Sequence, residues 1–263
     1  MAGIAPERDL GKMRTRHRLL SFAVSVAALV AFSAPAPAAA EPIEIGHIPE
    51  CLEAVPAAVA IPPGQTVNLS ATVLLDGVSA TRGGQVFQTA KQSYSPLGIN
   101  LVPSFQGVNF SGTDADGLIS QAKAHFGGQR PAGADVVYVL TSKDIELGGD
   151  TAVAGLADCI GGVAFADSAF AVGEDFSAGD ASAIGPLFLA RNLRAKVASH
   201  EIGHLMGAHH HYANCAEGLL SESLTSELSP CTLMFNAVDL SSINFSTAEG
   251  LVVRGHAEAY ALP

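Results

Sequence analysis

The chain has 263 residues, of which 48% are hydrophobic and 15% are charged, enough for one globular domain with a sizeable core. Its formal net charge of −11 makes nucleic acid and anionic membrane surfaces poor partners. The acidic residues are scattered and form no D-x-D-x-D-G loop, so the charge predicts solubility and gives no support for bound calcium.

Residues 1–40 have the features of a secretory signal peptide. Three arginines precede an apolar run at 19–32, and the small residues at 38–40 provide a cleavage site before Glu41. The run is short for a membrane span, and an uncleaved anchor is the alternative. Cleavage removes five basic and two acidic residues, which leaves 9 basic and 23 acidic residues and a net charge of −14. We therefore expect a secreted or periplasmic protein with no membrane attachment after cleavage.

Hydrophobic periodicity predicts strands and helices that alternate along the rest of the chain. Residues 41–65 are rich in proline and alanine, which predicts an extended arm, and residues 66–263 are predicted to form one domain. In order, the pattern predicts a strand at 66–75, a helix at 81–94, a strand at 99–105, a helix at 114–126, a buried central strand at 135–141, short strands at 152–157, 163–165 and 168–172, a long helix from Pro186 and a final helix after Ser246. This order indicates an α/β (α+β) fold.

The long helix has an apolar stripe that leads into a histidine pair. Leu189, Leu193 and Val197 share one face, and His200 and His204 continue it. We expect the early turns of this helix to lie in the core and its last turn to present the histidines.

Residues 200–210 have the pattern H-E-x-x-H-x-x-G-x-x-H. His200 and His204 lie one helical turn apart, so both can bind one zinc ion. Glu201 lies beside them as a candidate general base. Gly207 can adopt a positive φ and end the helix, which lets His210 return to the same ion. Three histidine ligands leave a fourth position for water, as in catalytic zinc sites.

Three consecutive histidines compete for the third ligand position. The spacing from Gly207 selects His210, and His209 and His211 on either side are the alternatives. The alternatives for the whole motif are a surface histidine cluster on a helix end and a loop that scavenges metal.

Four cysteines follow the predicted signal peptide, which in an oxidising compartment indicates two disulfides. Three pairings are possible. We favour Cys215–Cys231, a local loop after the histidine motif, together with Cys51–Cys159, which would tie the arm to the domain. The alternative for Cys51 is a free thiolate that binds the zinc and keeps the protein latent.

The motif resembles the one that defines the metzincin metallopeptidases. That resemblance implies a tight turn with a methionine below the metal, and Met234 within 231–235 fits as the site floor and not as a ligand. The element order and the glycine-containing segment 152–159 resemble the reprolysin or adamalysin-like branch. The resemblance implies a twisted mixed sheet packed with helices, an active-site helix and a C-terminal helix.

Motif and resemblance together predict a secreted, monomeric zinc metalloendopeptidase whose catalytic domain spans 66–263. Its expected substrate is a protein or peptide that adds as a strand beside residues 152–157. Its expected chemistry is attack by a zinc-activated water, with Glu201 as general base. One alternative is a surface-binding or adhesion protein with a non-catalytic or latent zinc site. Another is a zinc hydrolase that acts on a non-peptide amide.

Overall fold

A computed structural model describes residues 51, 65–151, 153–176, 187–210, 232–235 and 243–261. All of them belong to the unit Ala40–Pro263. The predicted signal peptide, most of the predicted arm, His211, Cys215 and Cys231 lie outside these residues. Within the described part, no helix is both long and apolar enough to cross a membrane.

The described strands form one mixed sheet in the order β2-β1-β3-β5-β4. Their bounds are β1 Val67–Asp76, β2 Ile99–Val108, β3 Val136–Thr141, β4 Gly155–Ala157 and β5 Phe170–Glu174. β1 pairs in parallel with β2 and β3, and β3 pairs in parallel with β5. β4 is the antiparallel edge strand beside β5. The predicted α/β class with a mixed sheet is thus confirmed.

The four α-helices of the described residues are α1 Ala80–Tyr94, α2 Ala115–His125, α3 Leu187–Leu205 and α4 Thr247–Tyr260. α1 packs against α3, which also contacts β3, β4 and β5, while α2 contacts β3, β4 and β5. The central strand β3 is buried at all of its positions, as its continuous apolar run predicted.

Local chemistry explains why the helices begin where they do. The Ser79 side chain accepts a hydrogen bond from Arg82 N at 3.2 Å and caps α1, which offsets the weak helix propensity of its two early glycines. Gly83 also allows close packing, because a Cβ there would lie 2.7 Å from Leu75 Cδ2. Asp114 caps α2 in the same way by accepting from Gly117 N at 2.8 Å.

The predicted strand at 163–165 is wrong. The segment forms a 3-10 helix at Gly162–Ala164, between a left-handed Gly161 with φ 82° and an extended Phe165. Its backbone groups pair locally, with Ala164 N donating to Gly161 O at 3.2 Å and Phe165 N to Gly162 O at 2.9 Å. A Cβ at Gly162 would overlap the carbonyl of Ser168, so the glycine permits this tight turn between β4 and β5.

From Leu193 onward, the long helix α3 is buried on more faces than its apolar sequence stripe predicted. Its residues from Leu193 to Leu205 are all buried, including Arg194. The Arg194 guanidinium satisfies its charge by pairing with Asp175 at the end of β5, with Nε 2.7 Å from Oδ1. A helix enclosed on all sides holds its side chains in fixed positions, which matters for the histidines at its end.

Candidate metal centre and active site

Three histidine side chains converge at the end of α3. His200 and His204 lie one turn apart on the helix, and His210 returns to them after the helix has ended. The Nε2 atoms of these three residues are 2.9 Å apart in each of the three pairs. Within the described part of the chain, this is the one group of histidine, cysteine and acidic side chains arranged to bind a metal ion.

The outward nitrogens of the two helical histidines fix their orientation. His200 Nδ1 lies 2.7 Å from Leu233 O, and His204 Nδ1 lies 2.8 Å from Ala208 O. A carbonyl only accepts, so in each ring Nδ1 carries the proton and Nε2 keeps its lone pair. Such backbone partners orient imidazoles that bind metals. The lone pairs therefore point into the centre of the cluster.

Electrostatics favour the neutral, metal-binding form of these rings. Burial lowers the pKa of His200 well below its ordinary value, and the nearby His204 and His210 lower it further. Burial also lowers the pKa of His204, again with help from His210. Three neutral, convergent imidazoles suit zinc, a borderline-soft ion that histidine nitrogens bind well.

A glycine turn brings His210 back to the helix. Gly207 has φ 86°, and its N–H donates to His204 O at 2.8 Å, while Ala208 N donates to Gly203 O at 3.0 Å. This is the Schellman arrangement of a helix C-terminus. His209 is exposed and lies outside the cluster, so of the two described candidates His210 joins it.

The methionine turn lies directly under α3. Residues 232–235 form a turn in which Phe235 N donates to Thr232 O at 3.2 Å. Met234 is fully buried, and its Sδ would lie 2.9 Å from a Cβ at Gly203, so the missing side chain at Gly203 makes room for the sulfur. The same turn supplies the Leu233 carbonyl that orients His200. Met234 therefore packs against α3 at Gly203, between the two helical histidines in the chain.

Glu201 is buried against the edge strand. A Cβ at Gly155 of β4 would lie 2.6 Å from Glu201 Oε1, so only a glycine leaves room for the carboxylate. Neither carboxylate oxygen has a hydrogen-bond partner of good geometry among the described residues. Burial raises the pKa of the Glu201 carboxyl well above its ordinary value, and the backbone N–H of Ala157 acts in the opposite direction. A carboxyl in this setting is suited to accept and return a proton.

Two buried tyrosines near Glu201 were not predicted from the sequence. The Tyr94 hydroxyl donates to Ser199 O of α3 at 2.7 Å. Burial raises the pKa of both Tyr94 and Tyr138, and the Glu201 carboxylate contributes to both rises. Their apolar strand and helix contexts gave no signal of this proximity, because it depends on how α1 and β3 pack against α3.

A disulfide joins Cys51 to Cys159, with their Cα atoms 5.5 Å apart. Cys51 N also donates to Ile160 O at 2.9 Å. The alternative in which a free Cys51 thiolate binds the zinc is therefore wrong for this structure, since the sulfur is already bonded. The predicted Cys215–Cys231 pair lies outside the described residues.

Residues 97–211 match the family model described as metallo-peptidase family M12B, reprolysin-like. The match covers less than half of the chain and includes the whole histidine motif. No curated protein matches the chain.

Solved structures also match part of the chain at low sequence identity. Metalloproteinase-II from Bacteroides fragilis is 14% identical with a TM-score of 0.48, and the match covers 74% of this chain and 55% of that one. This chain thus spans about half of the Bacteroides protein. The archaemetzincin from Methanopyrus kandleri is 18% identical with a TM-score of 0.49, covering 76% of this chain and 99% of that one. The archaemetzincin from Archaeoglobus fulgidus is 16% identical with a TM-score of 0.46, covering 70% and 99%.

The M12B reprolysin-like match and the three-histidine cluster support a metzincin-like zinc peptidase, and they do not distinguish the reprolysin branch from others.

Proposed function

We propose that this protein is a secreted zinc endopeptidase in which His200, His204 and His210 bind the ion and Glu201 is the general base. The observation that carries the proposal is the convergence of three Nε2 atoms, each 2.9 Å from the others, beside a buried carboxyl on the same helix. The match to a metallopeptidase family over 97–211 supports the same reaction class.

When bound, zinc supplies a Lewis acid that polarises the scissile carbonyl and lowers the pKa of water toward about 7. Glu201 accepts the proton of the attacking water and then donates it to the leaving amine, so one carboxyl serves both steps. Its burial excludes bulk water, and its place next to His200 on α3 keeps it close to the ligand set.

The proposed substrate is an extended peptide that pairs with β4. The order of the sheet supports this choice, because β4 is its edge strand and carries Gly155 directly against Glu201. A peptide added as a further strand would have its backbone fixed by main-chain hydrogen bonds. Export by the predicted signal peptide would bring the enzyme to extracellular or periplasmic proteins.

A peptide-library cleavage assay with the exported protein, with and without a zinc chelator, tests this function. Wild type should cleave only without chelator, and Glu201→Ala should lose at least about 100-fold in rate while keeping its zinc. N-terminal sequencing of the exported protein should find Glu41 first. Stoichiometric zinc without any peptide hydrolysis would favour the binding-protein alternative and reject the proposal.

A further inference from the structure

Two fully buried polar side chains, Tyr138 and Glu201, lie in the same region of the structure. The Tyr138 hydroxyl on β3 and the Glu201 carboxylate on α3 are fully buried, and neither has a hydrogen-bond partner of good geometry among the described residues. Buried polar groups without partners are rare in folded proteins, because each loses its hydrogen bonds to water and gains none in return. We therefore expect one arrangement that gives both groups a hydrogen bond.

Paired glycines in β4 and its neighbour β5 bring these two groups together. Gly155 of β4 lies directly opposite Gly173 of β5 in the antiparallel ladder. A Cβ at Gly173 would overlap the Tyr138 hydroxyl, and a Cβ at Gly155 would lie 2.6 Å from Glu201 Oε1. Opposite residues of such a ladder have Cα atoms about 4.5–5.5 Å apart. The side chains of Tyr138 and Glu201 therefore fill two neighbouring spaces, here called the glycine notches, that are left by the missing side chains of Gly173 and Gly155.

Both notches face the same side chain of α3. The two added Cβ atoms would approach Val197 Cγ1, at 2.8 Å from Gly155 and 3.0 Å from Gly173. Tyr138 and Glu201 thus enter the same narrow layer between β4, β5 and α3. Any larger residue at either glycine would push one of the polar groups away.

The ring of Tyr138 is held firmly enough to orient another group. It lies on the central strand and packs edge-on against Phe87, with ring centroids 5.7 Å apart. Tyr94 provides a contrast, since its hydroxyl is already committed to Ser199 O at 2.7 Å. Of these two tyrosines, only Tyr138 has a hydroxyl proton still to donate within the described structure.

We propose that Tyr138 is a positioning residue, whose hydroxyl donates a hydrogen bond to one internal water that in turn donates to the Glu201 carboxylate. The link fixes Glu201 from the side of β3 and β5, away from the histidine cluster. This role rests on the proposed function, because it holds the general base in the orientation that proton transfer requires.

Tyr138→Phe, with Tyr94→Phe as the matched control, tests the proposal in the zinc-loaded protein. Tyr138→Phe should lower kcat about 10-fold or more, with KM and zinc content near those of wild type. Tyr94→Phe also removes a buried tyrosine hydroxyl beside α3, but its kcat should stay within about 3-fold of wild type. Equal losses of kcat in the two variants, or none in Tyr138→Phe, would overturn the role.

A double-mutant cycle in the thermal unfolding of the metal-free protein gives a test that does not depend on activity. Glu201→Ala and Tyr138→Phe should be non-additive by roughly 2–4 °C in Tm, the shift typical for coupled residues in a chain of this size. Additive shifts would show that the two groups do not interact and would refute the link. If wild type cleaves no peptide while the coupling is present, the proposed function fails and the link between Tyr138 and Glu201 stands.

Discussion

Gly207 is the residue on which the return of His210 depends. Its φ of 86° is a left-handed conformation, and a Cβ there would overlap the buried ring of His256 on α4. Gly207→Ala should therefore cost both backbone strain and a steric clash. We expect the free energy of unfolding to fall by about 2–5 kcal/mol and the zinc affinity to fall with it. Chemical denaturation of the metal-free protein and zinc titration measure the two effects.

Gly127→Ala is the control for the backbone contribution. Gly127 has a similar φ of 74°, but an added Cβ would meet no atom within 4 Å. In this variant the free energy of unfolding should fall only by the cost of backbone strain, about 1–2 kcal/mol, and zinc affinity should stay at the wild-type level. Equal losses in the two glycine variants would mean that His256 adapts freely and that the clash does not constrain the turn.

The run of histidines at 209–211 allows a direct test of the ligand assignment. His210 lies in the cluster with His200 and His204, whereas His209 is exposed. His210→Ala should lower the zinc content of the purified protein, because only two imidazoles remain. His209→Ala and His211→Ala should retain one zinc per chain by elemental analysis. Zinc loss in either flanking variant with retention in His210→Ala would move the third ligand.

At the scale of elements, Glu249 connects the start of α4 to the methionine turn. Its carboxylate accepts from Ser246 N at 2.7 Å to complete a capping box, and from Thr232 Oγ1 at 3.2 Å. Thr232 begins the turn whose Leu233 carbonyl accepts from His200. Glu249→Ala should therefore lower the free energy of unfolding by about 1–2 kcal/mol and weaken zinc binding.

Glu258→Ala on the same helix separates these two effects. Glu258 lies in the last turn of α4 and pairs with Arg254 one turn earlier, with Arg254 Nε 2.6 Å from Glu258 Oε1. Removing the Glu258 side chain should leave zinc affinity at the wild-type level. Unchanged zinc affinity in Glu249→Ala as well would show that the turn holds its shape without the cap.

Elements set by local chemistry were predictable from the sequence, and those set by packing were not. The final helix after Ser246, which begins with a capping box, and the buried run of β3 have local signals, and both elements appear as predicted. The segment at 163–165 has a strand-like composition, yet Gly161 and Gly162 turn it into a 3-10 helix that packs against Ser168. Gly162 and Ser168 come into contact only because the turn forms, so a sequence pattern could not predict that contact.

The same distinction applies to the site. The spacing of residues 200–210 predicted which histidines and which carboxyl lie together, because one helix and one turn fix their separation. Tyr138 and the Gly155–Gly173 pair were missed, since three separate segments bring them to Glu201. Residues that orient the site from other elements can be found only once the sheet order and the packing of α3 are known.

At the scale of the whole molecule, the Cys51–Cys159 disulfide ties a residue of the predicted arm to the segment beside the site. It closes a loop with a sequence separation of 108 residues, so it restricts the unfolded chain strongly. Cys159 also lies two residues before Gly161, whose N–H donates to His204 O at 2.8 Å. The crosslink thus acts on the segment that connects β4 to the end of α3.

Replacing both cysteines by serine should lower the free energy of unfolding by about 5 kcal/mol, from the loop-closure entropy of a segment this long. Urea denaturation of the metal-free protein measures this loss. The double substitution is preferable to a reductant because a reductant would also break the predicted Cys215–Cys231 disulfide. Zinc content at 25 °C should persist, since the Gly161–His204 hydrogen bond does not require the disulfide. A decrease of less than about 1 kcal/mol in the free energy of unfolding would mean that the unfolded chain is already restricted without the crosslink. Loss of zinc from the folded variant would instead make the disulfide a support of the metal centre itself.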